Sequence, residues 1–218
     1  MLRVERRTAS GGSADSAGMS ARGVPQPSTL NPQPAGGGRR LLHNPVSGER
    51  IVIRTSGAET GGRLLAFDLY LPPGAHVPAR HVHPVQVERF TVVEGSMRFT
   101  LGRQEMVAGP GETVVVPPGT PHWFGNAGHG TAHARVEVRP ALRTEELLEA
   151  SEAMAVAGTF FGAKMPRFSE LACFMLEFQR ELAVPDVPAF LVRAVLAPVA
   201  WLARRRGGRR PRPAAGAP

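Results

Sequence analysis

Between residues 49 and 139, apolar and polar positions alternate in short runs, broken at regular intervals by Gly- and Pro-rich turns. A period of two marks half-buried strands. The runs are ERIVIRT (49–55), GRLLAFDLYL (62–71), ARHVH (79–83), VERFTVV (87–93), SMRFTL (96–101), ETVVVP (112–117), HWFGN (122–126) and TAHARVEVR (131–139). Turn signals separate them at Pro72-Pro73-Gly74, Glu94-Gly95, Gly109-Pro110-Gly111, Pro117-Pro118-Gly119 and Asn126. Short strands at this spacing predict a β-sandwich or a small barrel, not alternating βα units. The strand-rich texture occurs once, and no internal repeat is visible.

After residue 140 the period changes. Thr144 is placed to cap a helix that opens with Glu145-Glu146, acids that favour the positive end of the helix dipole. A second helix fits FSELACFMLEFQRELA (168–183), with Leu171, Phe174, Met175, Phe178 and Leu182 on one stripe. A third fits about 187–204, capped by Asp186, apolar nearly all round and kinked at Pro198. At the other end, stretches such as SGGSADSAG and QPSTLNPQPAGGG have too little apolar surface to offset the entropy of ordering. The reading is therefore a segment 1–45 that is disordered or in part lies upstream of the true translation start, a β domain at 46–140, a helical extension at 141–205 and a basic disordered tail at 206–218.

Charge follows the same divisions. The net charge of +8 sits in the ends, because residues 46–150 carry ten Arg against eleven acids. No basic face with interleaved aromatics crosses the β region, so nucleic acid is not an expected partner. Almost all the basic residues are Arg, which reflects codon usage more simply than phosphate recognition. A single cysteine, Cys173, excludes a disulfide framework and suits a reducing compartment. It lies among apolar residues of a helix and is most simply a small core residue. The N-terminus shows no secretory pattern and no apolar run is long enough to cross a bilayer, so the expected location is cytoplasmic.

Chemistry concentrates in HVHPVQVE, residues 81–88. His81 and His83 are one residue apart and on a strand point the same way. Two imidazoles side by side are poor core residues unless something satisfies their nitrogens. Either they sit by chance on a solvated strand, or they are ligands. Glu88 is at an odd offset, which a turn across 84–87 followed by an antiparallel strand would correct, beginning at Pro84. His122 is a further candidate, delivered to the start of a strand by the tight turn through Pro117, Gly119 and Pro121. Four other histidines, His43, His76, His129 and His133, show no ligand spacing, although His76 is close enough to Gly74 to lie by a barrel mouth.

In these two stretches the chain resembles a cupin. The first motif reads Gly74, then His81-Val-His83, Glu88 and Gly95; the second reads Gly111, Pro117-Pro-Gly119, His122 and Asn126. The gap from Gly74 to His81 is one residue longer than the commonest form. The motifs cover 74–126, and neither recurs, so the resemblance is to a small bacterial monocupin. It implies a mainly β fold, a small antiparallel jelly-roll barrel, here followed by a C-terminal helical extension. It also implies one divalent metal ion (Fe, Mn, Ni, Co or Zn) held by His81, His83, Glu88 and His122.

Such a site would keep positions for a small-molecule ligand. The resemblance extends to flavonol-type dioxygenases, which implies a catalytic, proton-accepting role for Glu88 and an oxidoreductase acting on a small aromatic or hydroxyketone-like compound. Alternation places Phe90 and Val92 beside Glu88, and Phe124 beside His122, as substrate-pocket candidates. On the next strand either Met97 and Phe99 or Arg98 and Thr100 face inward. The alternatives are a metal-binding sensor or carrier without turnover, or an isomerase. A homodimer through the outer sheets is a further implication of the resemblance. The C-terminal AFLVRAVLAPVAWLARRRGGRR either packs on the barrel or a second subunit, or makes weak peripheral contact with an anionic membrane.

Overall fold

Alternation along the strands sorts their side chains onto two faces, and the apolar faces of two sheets close on each other. The computed structural model describes residues 4–6, 40–161 and 165–205. The strands are β1 (Val4–Arg6), β2 (Leu41–His43), β3 (Arg50–Thr55), β4 (Leu65–Leu71), β5 (Val87–Glu94), β6 (Met97–Leu101), β7 (Gln104–Ala108), β8 (Glu112–Val116), β9 (His122–Asn126) and β10 (Ala132–Arg139). Helices α1 (Thr144–Val156), α2 (Phe168–Glu177) and α3 (Ala189–Arg205) follow, with a short pair, β11 (Phe160–Phe161) and β12 (Met165–Pro166), between the first two.

A large sheet runs in the order β1-β8-β5-β10-β4-β3-β2 and a small one in the order β7-β6-β9, every pairing being antiparallel. The segment 75–82 lies along β9 as a fourth, irregular strand of the small sheet. Isolated bridges His76–Gly125 and His81–His122 hold it there. Between the sheets, Phe67, Leu69, Phe90, Val92, Met97, Phe99, Val114, Phe124 and Val136 form one core. Phe90, Phe99 and Phe124 meet at its centre, with ring centroids 4.8 Å apart for Phe90–Phe124 and 5.2 Å for Phe90–Phe99. The open question about β6 resolves in favour of Met97 and Phe99, which are buried while Arg98 is exposed.

Several expectations are corrected. Of the segment 1–45, read as disordered, residues 4–6 and 40–45 supply two strands, β1 paired with β8 and β2 with β3, while 1–3 and 7–39 lie outside the described residues. QEMVA forms β7, a strand that its polar residues hid, pairing with β6 as an edge. ARHVH makes only isolated bridges. The basic tail, 206–218, lies outside the described residues.

The helices also differ from expectation at their ends. Thr144 is the first helical residue and makes no cap; its buried hydroxyl instead accepts from Gln86 Nε2 at 2.7 Å. The N–H of Arg143, the residue before α1, is satisfied at 3.2 Å by the carboxylate of Glu181. Asp186 has φ +60° and lies three residues before α3, so it caps nothing. Helix α2 stops at Glu177 rather than continuing to 183. Beyond it, residues 181–183 turn back to the barrel, where Ala183 and Val82 exchange backbone hydrogen bonds of 2.9 and 3.1 Å. The helices have their own core, in which Leu147, Ala150 and Met154 of α1 pack on Phe174 of α2 and Phe178 just after it.

Candidate metal centre

Four donors come from three places in the fold. His81 stands on the irregular strand at the edge of the small sheet and His83 just past its end, His122 opens β9 beside it, and Glu88 reaches across from β5 in the large sheet. Residues 84–87 therefore do not reverse the chain into a hairpin. They carry it from one sheet to the other, and β5 pairs with β10 and β8 instead. The odd offset between His83 and Glu88 is resolved by this crossing, because inward means opposite directions on opposing sheets.

The local folding has identifiable causes. Gly119 has φ +72°, a conformation that a side chain would strain. Its N–H donates to the His83 carbonyl at 2.9 Å, which ties the turn before β9 to the second histidine. His81 and His122 exchange both backbone hydrogen bonds, at 3.0 and 2.8 Å, and so stand side by side with ring centroids 4.2 Å apart. Gln86, fully buried in the crossing segment, donates to the carbonyls of Pro140 at 2.9 Å and Ala141 at 3.2 Å.

The donor atoms of His81, His83, Glu88 and His122 all lie within 4.8 Å of one another. Glu88 Oε2 is 3.2 Å from His122 Nε2 and 3.4 Å from His83 Nε2. Each imidazole is oriented through its other nitrogen. Nδ1 faces the Ala79 carbonyl at 3.1 Å in His81, the Glu181 carbonyl at 2.5 Å in His83 and the Thr120 carbonyl at 3.0 Å in His122. A carbonyl only accepts, so every Nδ1 carries a proton, and a ring that is neutral keeps its lone pair on Nε2, free for a cation. Such partners are the ones that orient metal-ligating histidines.

Electrostatics agree. Burial would push the Glu88 carboxyl up, but the charge of His83 and hydrogen bonds from His122 and His83 outweigh it and hold Glu88 well below the usual carboxylate range. His81 is drawn down to about 3 by burial and by His122 and His83 beside it, so it is neutral. Burial also disfavours the charged form of His83, but Glu88 more than offsets this and raises its value. A proton and a cation thus compete for the buried His83 Nε2, whose approach to Glu88 at 3.4 Å is too poorly aligned to count as a full hydrogen bond. Three imidazole nitrogens and a carboxylate, this close together and largely buried, fit a divalent cation in place of the protons that would otherwise join His83 and His122 to Glu88.

A cupin-domain family model matches residues 67–138. This stretch of the chain is a cupin domain. Its barrel is similar to an RmlC-like cupin from Shewanella frigidimarina, with 18% identity over 49% of this chain and 88% of that one and a TM-score of 0.42. The Schizosaccharomyces pombe Cnp3 cupin domain is similar at 12% identity, covering 49% and 72%, with a TM-score of 0.41. A cupin described as a sugar phosphate isomerase, from Silicibacter pomeroyi, is similar at 26% identity, covering 43% of this chain and 60% of that one, with a TM-score of 0.39. Among curated proteins, none matches the sequence.

The other residues singled out in the cupin sequence are placed as follows. Phe90 and Val92 are fully buried in the barrel core, Val92 two residues farther along β5 from Glu88 than Phe90, and Phe124 lies against Phe90 at 4.8 Å and 6.5 Å from the His81 ring. His76 lies beside Trp123 on the edge strand, with its Nδ1 2.7 Å from the Val77 carbonyl. His133 stands on the outer face of the large sheet, stacked on Tyr70 at 4.3 Å and 3.3 Å from Asp68. His43 and His129 are exposed, far from the donors in the fold, and Cys173 is half-buried in α2.

Two contributors escaped the sequence reading. Gln86 was visible as a lone amide between apolar neighbours inside the first motif. Glu181 acts on His83 through its main-chain carbonyl, which no side-chain pattern marks.

Proposed function

We propose that this cupin is a metal-dependent oxidoreductase of the dioxygenase kind, acting on a small aromatic or hydroxyketone-like compound at His81, His83, Glu88 and His122. The observation that carries the reading is the commitment of all three Nδ1 protons to backbone carbonyls, which leaves the three Nε2 atoms and the Glu88 carboxylate to converge on one point. A divalent ion held by this set would supply a Lewis-acidic centre with positions left for a small ligand.

The residues divide the remaining work. His83, Glu88 and His122 are buried, whereas His81 is only half-buried, so a ligand reaches the donors from the His81 side. We assign Phe90, Val92 and Phe124 to the apolar lining, with Phe90 and Phe124 next to the donors and Val92 deeper in the core. Glu88 is the one donor that can take a proton and remain close, which suits it to accept one from a bound hydroxyl or enol.

The test is elemental analysis of untagged protein, followed by oxygen-uptake screening of the native metal form. Glu88→Gln should keep much of the metal and lower turnover by about a hundredfold or more; undiminished turnover would reject the proton-accepting role. A second reading is favoured by the burial of His83, Glu88 and His122, with only His81 half-buried: a carrier or sensor that binds metal and ligand without turnover. Saturable ligand binding with no oxygen uptake, across iron, manganese, nickel and zinc forms, would select it.

A further inference from the structure

Helix α3 has two faces of different fate. Val192, Leu196, Val199, Ala200 and Ala203 recur at helical spacing and are buried or half-buried where α3 packs along α2. The opposite face carries Phe190, Leu191, Val195, Trp201 and Leu202, all exposed: Phe190 at 70%, Val195 at 62% and Trp201 at 54%. These positions form one contiguous sector from Phe190 to Leu202, about 20 Å of the seventeen-residue helix. An apolar face of this kind is where a soluble domain meets something else.

Charge identifies what that is. From residue 187 to the C-terminus the sequence has seven Arg and no Lys, Asp or Glu. Arg193 and Arg204 border the apolar sector by their helical positions, and the Arg205 guanidinium lies over the Trp201 ring, 3.9 Å from its centroid. A second copy of this chain would bring two such segments together, cation against cation. A nucleic acid would satisfy the arginines and leave Phe190, Val195 and Leu202 in water. The chain's own residues 7–39 offer only Met19, Val24 and Leu30 as large apolar groups. No helix among the described residues is long and apolar enough to cross a membrane. An apolar sector edged by arginines, with a tryptophan at the basic end, matches the boundary of an anionic bilayer, where the rings enter the acyl region and the guanidinium groups meet phosphate.

We infer that α3 docks this protein on anionic membrane surfaces, lying in the interface with its Phe190–Leu202 sector inserted. The test uses the full-length protein at low salt, with vesicles of phosphatidylcholine alone and of phosphatidylcholine containing one third phosphatidylglycerol. The protein should pellet with the second and at least about tenfold less with the first, and Trp201 emission should move to the blue. The exposed double substitution Phe190→Ser/Trp201→Ser should weaken pelleting about tenfold or more while circular dichroism stays unchanged. Arg204→Gln should cost roughly fivefold. Failure to pellet overturns the inference. So does pelleting that survives the double substitution, which would reduce the effect to loose attraction of the basic tail. Sedimentation equilibrium showing a dimer that the double substitution dissociates would assign the face to a second copy instead.

Discussion

Asp68 lies on β4 with its side chain turned to the outer face of the large sheet and almost wholly covered. Arg54 pairs with one carboxylate oxygen, while His133 Nε2 at 3.3 Å and Arg135 at 3.7 Å approach the other. Burial pushes its pKa up, but hydrogen bonds from His133 and Arg54 and the charge of Arg54 prevail and lower it. The sign follows from linkage. A carboxyl whose folded value lies below its unfolded one contributes stability that is complete above the unfolded value, about pH 4. That contribution drains away as pH falls through the folded value. Asp68→Asn should therefore cost about 2 kcal/mol at pH 7, Arg54 being partly solvated, and progressively less in acid. Urea unfolding at neutral pH and near pH 3 checks this, and an equal loss at both would remove the ionic account. At this scale the sequence was informative where chemistry needs a side chain. His-x-His with Glu88 and His122 pointed to one cation, and those four do converge. It was silent on Asp68 and His133, because their meeting depends on the β4–β10 register, which one strand's alternation cannot disclose.

Strands and helix count were legible for a related reason: burial of one face repeats at fixed period, and that period is written in each segment alone. The exceptions are elements whose partner supplies the reason for their form. Strand β7 is a polar edge, and 75–82 is a strand only because β9 lies beside it. Gly125 is where these two approach most closely, since a β-carbon there would fall 2.7 Å from His76 Cβ and 3.2 Å from the Ala75 carbonyl. Gly125→Ala should push the edge strand away, misplace His81 and weaken metal binding about tenfold, as seen by titration against a chromophoric chelator. The segment after α2 works in the same way from the other side. Ala183→Pro removes the N–H that donates to Val82 and should loosen the Glu181 carbonyl from His83 Nδ1. Metal affinity should fall about tenfold while the barrel's circular dichroism is retained and Ala183→Ser behaves as the parent. Parental affinity in the proline variant would show that the carbonyl does not orient His83.

Across the whole molecule, the donors sit where three bodies meet: the two sheets of the barrel and the helical extension with its separate core. His83 is held on both nitrogens, by the Glu181 carbonyl from the extension and by whatever the four donors bind. Glu181 is held in turn through its carboxylate, which accepts the Arg143 N–H ahead of α1. Binding at one nitrogen and docking at the other therefore share an intermediate residue, and linkage makes their coupling mutual. If docking of residues 181–183 strengthens metal binding by some factor, the metal must strengthen docking by that same factor. Chelation should thus speed amide exchange in the peptide around Ala183 relative to the loaded protein, by about the tenfold expected for the Ala183→Pro loss of affinity. Amides of β10, at the centre of the large sheet, serve as the internal reference and should respond only to global stability. Removing metal should also lower Tm by several degrees, in proportion to the binding free energy lost. Equal exchange around Ala183 with and without metal, despite a lower Tm, would mean that the ion clips sheet to sheet through Glu88 and leaves the extension independent of it.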